Sequence, residues 1–152
     1  MIWKELLLTP PADLELVSRS LGIRVKFELF PNEVSGVYVV TSSGRSVIGL
    51  NTGVGTPRMR FTWAHEIGHH LLSDPAPGSV VLEHLDGPDG AIERLCNTFA
   101  ANLLMPAGLV SDLVQNTRGR DVRTRLRTLR SAFGVSSWAI HRRLEELELE
   151  AW

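Results

Sequence analysis

The spacing of apolar residues divides the chain into a strand-like part and a helix-like part. Ile23 to Phe30, Gly36 to Thr41 and Ser46 to Asn51 carry alternating or β-branched residues. Pro31-Asn32 and Ser42-Ser43-Gly44 separate them, so the pattern predicts three strands joined by turns. Ahead of them, Pro11 to Leu21 predicts a short amphipathic helix closed by Gly22. Gly53 and Gly55 break the pattern, and the period then becomes helical. Thr56-Pro57 makes a start, with Thr as cap and Pro at the first helical position. Phe61, Ala64, Ile67, Gly68, Leu71 and Leu72 recur at helical spacing behind it. Residues 73–90 are rich in Pro, Gly and Asp and read as a loop. Further helices are predicted from Ala91 to Met105, ending at Pro106, and over 106–116, 120–132 and 136–149. A small N-terminal sheet of about three strands followed by a helical bundle is an α+β arrangement. With no repeat and no linker, residues 1–152 read as one domain.

Composition changes this picture little. A hydrophobic content of 43% and a net charge of −1 fit an ordinary globular chain and exclude binding by bulk charge. The lone Cys96 rules out an internal disulfide and points to a reducing compartment, so a cytoplasmic protein is expected. Leu6-Leu7-Leu8 is too short for a signal-peptide core, and no run reaches membrane-span length, so no membrane role is expected. The charge is unevenly placed. Arg118 to Arg143 holds eight arginines against one aspartate, and Glu145, Glu146, Glu148 and Glu150 follow.

The chemistry is concentrated in His65-Glu66-Ile67-Gly68-His69. Two histidines four apart on a helix differ by about 40° around the axis and about 6 Å along it, so they project side by side. They can grip one zinc ion. Glu66, about 100° round, is poorly aimed as a third ligand but can reach a water on the metal as general base. The bland alternative is a pair of solvated or core histidines. Two imidazoles and a carboxylate beside an apolar stripe are costly to bury without a partner, which favours the metal.

Catalytic zinc usually takes three protein ligands and leaves a place for water. Glu83, His84, Asp86, Asp89 and Glu93 are the downstream candidates. On the Ala91–Met105 helix, Leu95, Cys96, Phe99, Ala100, Leu103 and Leu104 fill an apolar arc. Glu93 falls at about 100° from Ile92, inside that arc, and Asn97 at about 140° could hold a ligand in place. A carboxylate aimed at a core should meet a cation. Against this, Glu93 lies in the first turn, where the helix dipole or a capping box with Gly90 would account for it. His84 and its acidic neighbours read as a solvated loop, and His70 as a structural or rim residue.

The stretches Arg60 to His69 and Glu93 to Pro106 resemble the ImmA/IrrE family of zinc metallopeptidases. Phe133-Gly134-Val135-Ser136, with Ala139 and Arg143-Leu144, resembles that family's closing segment, so the likeness runs from about Leu21 to Leu147. It implies a gluzincin-like domain with one Zn2+ on His65, His69 and Glu93 and with Glu66 as base. It further implies that the protein substrate is a helix-turn-helix transcriptional repressor, inactivated in a bacterial stress or mobile-element system. Cys96 departs from the family's usual Ala, and Ser73 from a frequent His.

Hydrolysis would also want a donor for the oxyanion, for which Tyr38, His84, His141 and Arg143 are candidates. A substrate strand could pair with a sheet edge, and Ser46 to Asn51, just before the metal helix, is the candidate edge. The competing reading is a non-catalytic repressor-binding or DNA-binding module, built on a helix-turn-helix-like C-terminal segment, 118–149, that packs as part of the one domain. Val122, Leu126, Leu129 and Phe133 would form an apolar face, with Arg120, Arg123, Arg127 and Arg130 beside it as a stripe for phosphates. The acidic end of the second helix argues against direct nucleic-acid binding. Sequestration of a repressor without cleavage is the remaining alternative.

Overall fold

The computed structural model describes residues 2–84 and 90–149, with the side chains of 82–84 excepted. A one-turn helix, α1 (Ile2–Glu5), precedes α2 (Leu14–Ser20). Asp13 caps α2 by accepting from the Leu16 amide at 2.9 Å. Three strands follow: β1 (Arg24–Glu28), β2 (Val34–Val40) and β3 (Ser46–Asn51). Then come α3 (Thr56–Leu72), β4 (Val80–His84), α4 (Ala91–Leu104), α5 (Ala107–Asn116), α6 (Val122–Phe133) and α7 (Ser137–Glu146). The architecture is α+β, as the pattern predicts. Among the described residues no helix is long and apolar enough to cross a membrane.

Among the described residues the sheet has four strands, in the order β1-β3-β2-β4, one more than the pattern predicts. The extra strand, β4, lies inside the segment read as a loop. Its five residues are too few to stand out among the surrounding Pro, Gly and Asp. The order also overturns Ser46–Asn51 as an edge. β3 is interior, parallel to β1 and antiparallel to β2, and the edges are β1 and β4. Asn51 anchors the β1–β2 connection. Its amide nitrogen donates to Phe30 O, Pro31 O and Val34 O, at 3.2, 3.3 and 2.7 Å, and its Oδ1 accepts from Gly53 N at 2.8 Å.

Helix α3 runs between the sheet and α4, and this sandwich is the centre of the core. Gly55 is its cap and Thr56 already helical, which moves the start one residue earlier than expected and puts Pro57 second. Every residue from Thr62 to His69 is buried. The simple stripe therefore fails at its far end, where Leu71 and Leu72 are exposed. On one side Gly68 allows close approach of α4: a Cβ there would lie 3.1 Å from Cys96 Cα. On the other side Gly36 of β2 does the same for the sheet, since a Cβ there would meet Thr62 Cγ2 at 2.5 Å. Trp63 donates to Ser18 Oγ at 2.8 Å and meets Phe27 edge-on, tying α3 to α2 and β1.

The C-terminal helices complete the core, with Val110, Leu129, Phe133, Ile140 and Leu144 in the same buried cluster as α3 and α4. Asp121 and Ser136 cap α6 and α7 through hydrogen bonds to Thr124 N and Ala139 N. Gly134 ends α6 in the left-handed conformation, with φ of 65°. Leu129 and Phe133 are buried, as the apolar face requires, but Val122 is exposed and Arg125 is buried instead. On α4, Leu95 likewise falls outside the buried face.

Candidate metal centre

The polar residues of α3 are buried because the helix is enclosed on two sides, and they meet α4 at its first turns. His65, Glu66 and His69 are exposed by no more than 2%. His65 Nε2 lies 3.0 Å from His69 Nε2 and 3.0 Å from Glu93 Oε2. His69 Nε2 lies 3.3 Å from Glu93 Oε1. A histidine pair on α3 and a carboxylate from α4 thus converge on one point. Glu93 sits one helical turn before Asn97, whose Oδ1 lies 2.9 Å from His65 Nδ1.

That last contact decides the electrostatics. An amide oxygen only accepts, so His65 Nδ1 carries a proton and donates. In the neutral ring, Nε2 is then a lone pair, and it faces a carboxylate oxygen at 3.0 Å. Two acceptors hold that distance only with a cation between them, either a proton or a metal ion. A tetrahedral zinc about 2.0–2.1 Å from each donor would set its ligands about 3.3 Å apart. The observed separations of 3.0–3.3 Å fit that ion. The donors, two imidazoles and a carboxylate, suit zinc chemically.

A sulfur donor is also close. One ligating atom each of His65, His69 and Cys96 lie within 4.8 Å of one another. Zinc–sulfur bonds of about 2.3 Å would need sulfur-to-nitrogen separations near 3.6 Å. The Glu93 oxygens, at 3.0–3.3 Å, satisfy their requirement without movement, which favours Glu93 over Cys96. Pattern reading treated Cys96 as a core residue; it is buried, and only the packing of α4 on α3 brings it near the histidines.

Glu66 points to the sheet. A Cβ on Gly36 would stand 3.0 Å from Glu66 Oε1, so the glycine makes room for the carboxylate. This function of Gly36 was missed, although a glycine inside a strand signals close approach.

The oxyanion candidates are dispersed. Tyr38 is buried on β2, with its hydroxyl 3.0 Å from both Ser46 Oγ and His70 Nδ1, and His70 Nδ1 is 3.1 Å from Ser46 Oγ. Burial pushes the pKa of His70 below its ordinary value, favouring the neutral ring. Arg143 is spread over Met105 O at 3.0 Å, Asn102 Oδ1 at 2.7 Å and Glu146 Oε2 at 2.8 Å, so its guanidinium clamps α4 to α7. His141 is an exposed residue of α7. The His84 side chain, Asp86 and Asp89 lie outside what the structure describes, as does the Glu83 side chain.

An α+β domain with a histidine pair and a carboxylate on one buried helix, and a second carboxylate brought up by the next, is an arrangement like that of zinc metallopeptidases. The comparisons define the kind. A family model of M78 peptidases, described as the IrrE N-terminal-like domain, matches residues 18–145. The chain belongs to that family. It is 46% identical over 71 residues to the radiation response metalloprotease IrrE of Deinococcus deserti, covering 45% of this chain and 25% of that protein. It is 38% identical over 73 residues to the protein of the same name from Deinococcus radiodurans, covering 46% of this chain and 22% of the relative. The matched segment therefore spans about a quarter of each relative's length.

Proposed function

We propose that this chain is a zinc-dependent endopeptidase that hydrolyses a peptide bond in a protein substrate. The convergence of His65 Nε2, His69 Nε2 and the Glu93 carboxylate carries the reading. These three residues would hold one zinc ion. Asn97 would fix the tautomer of His65 and turn its Nε2 lone pair toward the metal. Bound zinc supplies a water of lowered pKa and polarises a carbonyl.

Glu66 is the base. It accepts a proton from the attacking water and returns it to the leaving amine. Its burial against β2 excludes bulk water from the carboxylate and keeps it on the sheet side of α3. A substrate strand would pair with β4, which replaces β3 as the candidate edge. β4 pairs with β2, and Gly36, beside Glu66, stands opposite residue 83 in that pairing. The described oxyanion candidates Tyr38 and Arg143 are held by other partners, so we assign that role to neither.

The substrate we favour is a helix-turn-helix repressor in a bacterial stress or mobile-element circuit, with cleavage in the cytoplasm. This finer reading draws on the family resemblance and on the radiation-response metalloproteases among the relatives. The test is incubation of zinc-loaded protein with a candidate helix-turn-helix repressor. Specific cleavage is expected, abolished by chelation and reduced by roughly 10²–10⁴ in Glu66→Gln, which still binds zinc. Undiminished cleavage by that variant removes Glu66 from the mechanism. Tight association without cleavage by the wild type would support sequestration instead.

A nucleic-acid module is the second reading. Arg120, Arg123, Arg127 and Arg130 are exposed at the start of α6 and along it, which favours it. The acidic Glu145 and Glu146 on α7 oppose it. A salt-sensitive shift of duplex DNA would revive it.

A further inference from the structure

We propose that the cavity between α4 and α7 receives a large apolar side chain of the protein substrate, one or two residues from the bond that is cut. The inference rests on the peptidase reading above. Phe61, Ala101, Met105 and Trp138 supply apolar walls, and Asn97 lines the cavity on the side of the metal centre. Its volume of about 280 Å³ lies just under the roughly 300–1,000 Å³ of small-molecule pockets, a size for one side chain rather than a whole ligand.

The cavity continues the helix faces that carry the metal-site residues. On α3, Phe61 stands four residues before His65. On α4, Asn97 and Ala101 follow Glu93 at intervals of four. Residues four apart share a helix face and lie about 6 Å apart along the axis. An extended chain covers about 3.3 Å per residue, so that distance is roughly two substrate residues. Asn97 belongs to both places: its Oδ1 is 2.9 Å from His65 Nδ1, and the residue borders the cavity. The Glu93 side chain is 24% exposed, and Asn97 and Thr98 are exposed. A polypeptide lying at the metal therefore reaches the cavity along the open surface of α4. That continuity favours the substrate as occupant over a second copy of this chain.

The charges beside the cavity favour an apolar group. Arg143 is buried, and its nitrogens are committed to Met105 O, Asn102 Oδ1 and the carboxylate of Glu146. Arg142 is exposed and lies over the Trp138 ring, with its Cζ 5.8 Å from the centroid. A hydrated surface cation offers a carboxylate little. What remains uncovered is the indole, since Trp138 is 69% exposed next to the buried Met105 and Ala139. An apolar side chain laid on that ring removes both surfaces from water. A hydroxyl or carboxylate would give up hydration there for little return.

The test is titration of the full, zinc-loaded chain with acetyl-Gly-Leu-Gly-amide and with its Ser and Asp counterparts, followed by NMR. The Trp138 indole N–H and amides of 97–101 and 138–143 should move together and saturate with the Leu peptide. The Ser and Asp peptides should bind at least about tenfold more weakly, the scale of burying one apolar side chain. Trp138→Ala, altered at an exposed position, should keep its zinc and its dispersed spectrum and lose about tenfold in affinity for the Leu peptide. Equal affinity for the three peptides, or full affinity in Trp138→Ala, would overturn the proposal. So would movement of the same amides with protein concentration alone, which would give this face to a second copy. A chain that binds the Leu peptide selectively but cuts no protein would sink the peptidase reading while the preference of the cavity stands.

Discussion

Helices α3 and α6 both carry polar or charged side chains at nearly every turn, and the fold treats them in opposite ways. On α3, His65, Glu66 and His69 are buried while Leu71 and Leu72 face outward. On α6, Arg123, Arg127 and Arg130 are exposed, together with the apolar Val122. An exposed arginine keeps its hydration and costs little. A buried imidazole or carboxylate loses hydration worth several kcal/mol and must recover it from a partner. The comparison teaches where to look for chemistry. Polarity alone marks both helices, and α6 buries Arg125 as well, but only α3 buries lone-pair donors, whose desolvation calls for a cation.

The largest expected effect is at Glu93. Glu93→Gln keeps the shape and removes the charge facing two imidazoles. Metal affinity should fall by more than about 100-fold, beyond the 10–100-fold typical of an outer partner. Competition with a chromogenic chelator measures it, and an unchanged affinity would hand the third position to another donor, with Cys96 the nearest sulfur. Asn97→Ala comes next. It removes the acceptor that holds His65 Nδ1 and should weaken metal binding by about 10–100-fold without unfolding the protein. Wild-type affinity in this variant would mean that the tautomer of His65 is set elsewhere.

Gly68→Ala probes the enclosure itself. Its methyl would stand 3.1 Å from Cys96 Cα and 3.3 Å from Phe99 Cδ1, so α3 and α4 must separate. A loss of about 1–3 kcal/mol is expected from the urea midpoint, with weaker metal binding if the histidines of α3 and Glu93 of α4 hold the ion as proposed. Stability within error of wild type would show that the helix pair yields more easily than the packing suggests. The smallest effect belongs to α6. Arg123→Gln should change stability by less than about 0.5 kcal/mol and leave metal content untouched. A larger change there would erase the contrast between the two helices.

Much of the centre was legible before folding is considered. The four-residue spacing of His65 and His69 guarantees a shared face on any helix. The helical angle put Glu93 inside an apolar arc, with Asn97 one turn on, while a capping role in the first turn stayed open beside it. What was not legible follows from sheet order and from helix crossing. β3 looked like an edge because it directly precedes α3 in the chain, yet β1 crosses over to pair with it in parallel. β4 was hidden by its short length and by the Pro- and Gly-rich residues before it. Cys96 and Gly36 have no local mark of function; both matter because of what the neighbouring element brings against them.

Local geometry, then, is what the amino-acid sequence determined by itself: which residues share a helix face, where helices start and stop, and that an imidazole pair with an adjacent acid stands ready for a metal. Such relations depend only on the helical repeat, which every stretch of helix obeys. The tertiary structure alone decided that α4 delivers Glu93 to within 3.0 Å of His65, and that β4 and not β3 is an edge beside Gly36. Those relations arise between elements distant in the chain, where packing and closure of the core set the distances and no periodicity within one segment records them.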